Sequence, residues 1–248
     1  MKQKRVVNFL VIILLFFSPA LLFSFEENSE AEDFFNLGND LYHERDFEGA
    51  IEAFSEALRL SSNNIRILVA RGRTYMDKGD AERAILDFNR SLDLDPNDPS
   101  IYNYRGYAHF SKGDFNQAVA DFNHAIGLDP NDGWTWFSRG YTHFNLGDLN
   151  QALADFSRAV VLDPNNALAY NNRSYLFLIF GDYDRAIADG SEAIRLNPSL
   201  AYAYNNRGEG FLGRGDYELA IEDFETVLRL DPNHPYVREN MAKALEGL

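Results

Sequence analysis

The sequence predicts an all-α solenoid: six helix-turn-helix repeats followed by a C-terminal capping helix. Three observations predict it. A 34-residue pattern recurs six times in register, in segments starting at Ala31, Ile65, Pro99, Gly133, Ala167 and Ala201. Four columns of that pattern keep one residue type in nearly every copy. Each copy also holds two stretches of helical apolar spacing separated by a short turn. A fixed period of this length means that each unit stacks on its neighbours because it cannot bury its apolar face alone.

The conserved columns have steric reasons. The eighth reads Gly38, Gly72, Gly106, Gly140, Ser174, Gly208, and the twentieth is Ala from Ala50 to Ala220. Small residues there let two helices approach closely. The twenty-fourth reads Phe54, Phe88, Phe122, Phe156, Gly190, Phe224, a large residue that fills the space between units. The thirty-second is Ser62 and then Pro96, Pro130, Pro164, Pro198 and Pro232; proline cannot continue a helix and so closes the unit.

Within the third copy, Ile101, Tyr104, Tyr107, Ala108 and Phe110 mark a first helix over about 100–111. Lys112-Gly113-Asp114 ends it, since glycine takes the left-handed backbone a helix terminus needs. Asp114 is placed to cap the second helix by accepting a bond from its free N–H groups. Ala118, Phe122, Ala125 and Ile126 form the second stripe. The Gly-Asp pair recurs at 79–80, 147–148, 181–182 and 215–216.

These columns resemble the tetratricopeptide repeat, whose signature places Gly, an aromatic, Ala-x-x-x-Phe and Pro at these offsets. The match covers about four fifths of the chain. The resemblance implies a right-handed α-solenoid with a concave groove that binds other proteins. It implies the domain layout 31–64, 65–98, 99–132, 133–166, 167–200 and 201–234, with a capping helix over 235–248.

Copies two to six carry Arg71, Arg105, Arg139, Arg173 and Arg207 in the seventh column and Asp87, Asp121, Asp155, Asp189 and Asp223 in the twenty-third. The first copy has Leu37 and Ala53 instead, so both charges are missing together. This joint variation predicts a partly buried ion pair inside each of five repeats, a role that suits the planar fork of arginine. The fifth copy departs from the pattern at Ser174 and Gly190. Either the two changes compensate, with Phe177 or Phe180 filling the gap, or the fifth repeat forms a soft joint to the sixth. In the cap, Tyr236, Val237, Met241, Ala244 and Leu245 form the apolar stripe.

The N-terminus is a different kind of segment. Lys2, Lys4 and Arg5 precede an apolar run from Val6 to Phe25, which reads as a secretory signal or, uncleaved, as a membrane anchor over 1–25. Both readings place the repeats outside the cytoplasm, periplasmic or extracellular, with membrane contact only through this segment. An acidic linker over 26–30 follows. The chain has no cysteine, which excludes disulfides, thiolate metal sites, thiol nucleophiles and lipid attachment of the bacterial lipoprotein type. Net charge is −15, and the first 25 residues hold three of the 23 basic residues and none of the 38 acidic ones. So acidic a surface excludes nucleic acid as a partner and disfavours anionic lipid.

The resemblance implies that ligands lie along the first helices, at the second, fifth, ninth and twelfth columns. Candidate groove residues are therefore Asn103, Tyr107, Trp134, Phe137, Tyr141, Asn171, Tyr175 and Asn205. Tyr and Trp are the usual anchors of protein interfaces, and Asn can donate to and accept from an extended backbone. Phe110 and Phe144 are expected to pack. The lysines of the family's best-known peptide-carboxylate clamp are absent from these columns, which argues against an acidic C-terminal tail as the ligand. His109 and His143 share the eleventh column and are expected to pack rather than bind metal. With no Gly-rich phosphate loop, nucleophile motif or non-repeat domain, no cofactor and no catalysis are expected. The expected function is an interaction scaffold holding a protein segment. The alternatives are a carrier for a small apolar ligand in an extracytoplasmic uptake system and a self-assembling structural protein, which the polar-faced cap opposes.

Overall fold

The computed structural model describes residues 19–248, with side chains from Ser29. Most of the expected signal or anchor, residues 1–18, lies outside the described residues. Helix α1 (Pro19–His43) runs through 26–30, so the stretch read as an acidic linker is helical. Its glutamates are good helix formers, and no Pro or Gly interrupts them. Among the described residues no helix is long and apolar enough to cross a membrane.

Two compact units form, one ending at Gly113 and one beginning at Asp114. The first contains α1, α2 (Phe47–Leu60), α3 (Ile65–Asp77), α4 (Ala81–Leu94) and α5 (Pro99–Ser111). The second contains α6 (Phe115–Leu128), α7 (Gly133–Leu146), α8 (Leu149–Leu162), α9 (Ala167–Ile179), α10 (Tyr183–Leu196), α11 (Ala201–Arg214), α12 (Tyr217–Leu230) and α13 (Val237–Glu246). In each, first and second helices alternate as antiparallel hairpins.

The turn residues act as the sequence predicts. Gly79, Gly113, Gly147, Gly181 and Gly215 take φ values of 74° to 88°, the left-handed region. The first repeat has Arg45 at this place, at φ 64°. Asp46, Asp80 and Asp182 accept N-cap bonds from Gly49, Arg83 and Arg185. Asp114, expected to make the same bond, holds the N-cap position without it, as do Asp148 and Asp216. At the far end of each second helix from the second repeat on, the Asp or Asn before proline folds back to the chain. Asp129 Oδ1, for example, accepts the Asn131 N–H at 3.0 Å, which closes the unit as an Asx turn.

Column eight is glycine because of column twenty-four. A Cβ at Gly38, Gly72, Gly140 or Gly208 would lie 2.5 to 3.0 Å from the ring of Phe54, Phe88, Phe156 or Phe224. The fifth repeat breaks both columns together. With no ring at Gly190, Ser174 fits, and its hydroxyl donates to the Ala186 carbonyl at 2.7 Å across the hairpin. A Cβ at Gly190 would sit 3.0 Å from Arg207 Cβ, so α11 closes directly on α10 there. Of the two expected gap fillers, Phe177 is buried under Arg185 and Phe180 is exposed.

All four Arg–Asp pairs whose members share a unit are formed, each as a two-pronged bond. Arg71 Nε and Nη2 donate to Asp87 at 2.8 and 2.7 Å. Arg139–Asp155, Arg173–Asp189 and Arg207–Asp223 repeat this geometry. The aspartates are buried, and hydrogen bonding to Asp87 and Asp223 pushes the Arg71 and Arg207 pKa up. Sequence reasoning missed the third prong. Arg71 Nη1 reaches Ser55 at 2.9 Å, Arg105 Nη1 reaches Asn89 at 2.8 Å and Arg139 Nη1 reaches Asn123 at 2.6 Å. Each of those acceptors stands on the second helix of the preceding repeat, so the arginine joins neighbouring repeats.

The cap is narrower than its sequence stripe. Val237 and Ala244 are buried and Met241 packs beside them on the cluster of Phe224 and Val227. Tyr236 and Leu245 are exposed, because a ten-residue helix meeting one surface buries only the 237–241–244 row. His234, before the cap, is 3% exposed. It lies between Tyr202 and Tyr236, at centroid distances of 4.9 and 6.4 Å, and neither ring nitrogen has a hydrogen-bond partner. Burial pushes its pKa below the usual 6.5, against the opposing pull of Asp231 and Glu209.

Three outcomes check this account. Asp155→Ala should destabilise the chain by about 3 kcal/mol in chemical denaturation, because the partly buried Arg139 loses its carboxylate and keeps only the hydrogen bond to Asn123; replacing both residues with leucine should cost less. Gly190→Phe alone should destabilise by about 1–3 kcal/mol through overpacking, and adding Ser174→Gly should recover part of it. Simple additivity of the two changes would refute the coupling of the columns. For His234 the folded pKa is lowered, so between that value and about 6.5 the unfolded chain binds the extra proton. Stability should therefore fall as pH drops below about 6.5, and His234→Phe should remove that part of the slope; parallel melting curves of the two proteins between pH 7 and 5.5 would disprove it.

Candidate functional site: an aromatic face on the second unit

On α7, Trp134, Phe137, Tyr141 and Phe144 are spaced three, four and three apart, which puts them on one helix face. They form a continuous ladder. Trp134 and Phe137 lie 5.3 Å apart, Phe137 and Tyr141 6.3 Å, and Tyr141 and Phe144 6.4 Å between centroids. Tyr175 of α9 meets Phe144 edge-on at 5.8 Å, which carries the face to the next repeat. Phe137 is only 8% exposed and rests on Phe156 at 5.7 Å. It therefore supports the face from beneath, while Trp134 and Tyr141 stand outward at 55% and 40% exposure. Phe144 is half-buried.

Trp134 is held by its backbone, whose N–H donates to Asp132 Oδ1 at 3.1 Å, and its ring stands more than half exposed. Trp136, two residues on, shows the contrast. Its indole donates to the Pro130 carbonyl at 3.0 Å and its ring lies 4.7 Å from the Arg139 guanidinium, so it is structural. Leu168 and Tyr202, in the same column as Trp134 on α9 and α11, are likewise exposed.

The predicted asparagines behave differently from one another. Asn171 is buried and accepts from Asn206 Nδ2 at 3.0 Å on its side chain and 3.2 Å on its backbone carbonyl. This pair joins α9 to α11. Asn205 is 4% exposed; its Nδ2 donates to Glu209 Oε1 at 2.7 Å, and its Oδ1 has no partner. Asn240 of the cap donates to the same Glu209 oxygen at 2.8 Å. Glu209 and Asn240 were not among the residues picked from sequence. The one signal for Glu209 is that it occupies a column that reads tyrosine in the three preceding repeats.

Asn103 and Tyr107 belong to the first unit. Asn103 is half-buried on α5, and Tyr107 is exposed and stacked on Phe110 at 6.5 Å. Tyr107 borders a shallow depression with Met76, Asp80 and Lys112. His143 packs as expected, largely buried, with Nδ1 3.5 Å from Asp148. Among the described residues no three side chains are grouped to hold a metal.

Family models for the TPR repeat match residues 72–113 and 106–147, and models for the tetratricopeptide repeat match 31–64, 137–201 and 201–234. No curated protein sequence matches. Among solved structures, PilF of Pseudomonas aeruginosa is 15% identical with a TM-score of 0.77, covering 88% of this chain and 99% of its own. YrrB, a TPR protein with an unusual peptide-binding site, is 21% identical with a TM-score of 0.64, covering 79% and 97%. A tetratricopeptide repeat protein from Parabacteroides merdae is 21% identical with a TM-score of 0.62, covering 87% and 84%. At these identities the likeness is one of fold. TPR folds generally mediate protein–protein interaction. The repeat columns, the alternating hairpins and the matching models together place this chain in the tetratricopeptide repeat family.

Proposed function

We propose that this protein is an interaction scaffold that holds a segment of a partner protein against the aromatic face of α7, α9 and α11. The observation that carries the reading is the pair Trp134 and Tyr141, large rings left exposed on a buried aromatic base. Rings fixed by packing lose little freedom on binding, so such a face binds at low entropy cost. Exposed Trp and Tyr over a closed core have the composition of interface hot spots. That YrrB has a peptide-binding site supports the reading by analogy of fold. A Trp134 more than half exposed disfavours the small-ligand carrier, which needs a closed pocket around that ring. We further assign the repeats to an extracytoplasmic compartment, on the basic start and apolar run of residues 2–25.

The test is photo-crosslinking in the cell that makes the protein, with Trp134 and Tyr141 each replaced by benzoylphenylalanine. One dominant protein adduct shared by both positions is expected. If the folded chain yields no protein adduct from either position, the scaffold reading of this face is wrong.

A further inference from the structure

The binding face has one charged group, and its surroundings say what it is built to meet. On α7, α9 and α11 all four arginines are committed. Arg139, Arg173 and Arg207 bond second-helix aspartates, and Arg214 bonds Asp184 and Asp216. The one carboxylate on these helices is Glu209. No ion pair to it forms among the described residues, although Lys243 and His234 lie near enough to feel its charge. The neighbouring Lys243 gives its ammonium to Glu239 at 2.7 Å. Glu209 is instead oriented by two neutral amides, Asn205 and Asn240, both on Oε1, which leaves Oε2 without a hydrogen bond among the described residues.

Beside it sits a second vacant acceptor. Asn205 Oδ1 shares an amide carbon with the nitrogen that grips Glu209, is buried, and has no partner. A buried acceptor left unbonded is costly, so an arrangement that brings this oxygen a donor is favoured. Two vacant acceptors, one of them anionic, call for a cation with several N–H donors. Tyr202 lies at the same end, with 52% of its surface exposed and its ring fixed against His234 at 4.9 Å. It offers a flat apolar surface for the stem of a long cationic side chain.

Resting on the groove reading above, we infer that the bound segment carries a lysine or arginine which docks at the α11 end of the face, on Glu209 and Asn205, with its stem over Tyr202. The net charge of −15 favours the approach of such a segment and disfavours acidic ones.

The test pans a phage-displayed random dodecapeptide library against the full chain, against Glu209→Gln and against Trp134→Ala. Gln keeps an oxygen for the two amides, so the fold should hold, and equal melting temperatures check this. Wild type is expected to enrich peptides with apolar or aromatic residues and a Lys or Arg at fixed spacing. Glu209→Gln should weaken those peptides at least tenfold and abolish the basic preference, while Trp134→Ala weakens them whatever their charge. Enriched peptides that Trp134→Ala weakens but that lack a fixed basic residue, or whose affinity Glu209→Gln leaves unchanged, overturn this inference and leave the scaffold reading standing. If no enriched peptide depends on Trp134, both fall.

Discussion

The contact between the phenylalanine of the second helix and the glycine of the first sets the spacing inside the repeat, and the rest of the structure depends on it. A ring resting where a Cβ would stand brings the two helices together as one hairpin. A hairpin of two short helices cannot bury both faces by itself, so its outer apolar row must be covered by the next hairpin. The fifth repeat shows that the constraint acts on the pair and not on either residue. Once the ring is gone, the glycine becomes a serine that bonds across the gap, and the helix of the sixth repeat moves into the space.

Polar groups then fix the register of this apolar stack. The arginine fork satisfies a buried aspartate inside its repeat and reaches a serine or asparagine on the repeat before it. A buried carboxylate without such a partner would be strongly destabilising, so the bonds disfavour other registers. The Asn171–Asn206 bonds do the same between α9 and α11. Because these groups are consumed by the scaffold, the side chains that stand free on the surface are those at positions that packing leaves over.

Those positions are the second and ninth columns of the first helices. In the second unit they hold Trp134, Leu168, Tyr202, Tyr141, Tyr175 and Glu209, all exposed except Glu209, which is half-buried. The fifth column lies one layer deeper, and its Phe137 and Asn205 set the orientation of what stands above them. This face of the second unit is thus an exposed layer of varied residues on a packed base.

The sequence by itself determined the repeats, their hairpins, the glycine turns and the Arg–Asp pairing. It could do so because a one-dimensional stack makes each contact at a fixed offset, so neighbours in space appear as columns in sequence. Arg71 and Asp87 are legible as a pair since the copy that lacks one lacks the other. Only the tertiary structure decided which faces are open. Phe137 and Tyr141 are both aromatic groove candidates, yet one is core and the other surface, because exposure depends on how deeply neighbouring helices overlap. The Asn171–Asn206 pair, the third prong of the arginines and the bond from Asn240 to Glu209 were hidden for the same reason. Each is a contact between side chains of different repeats or of the cap, whose aim is set by the packing of helices and not by spacing along the chain.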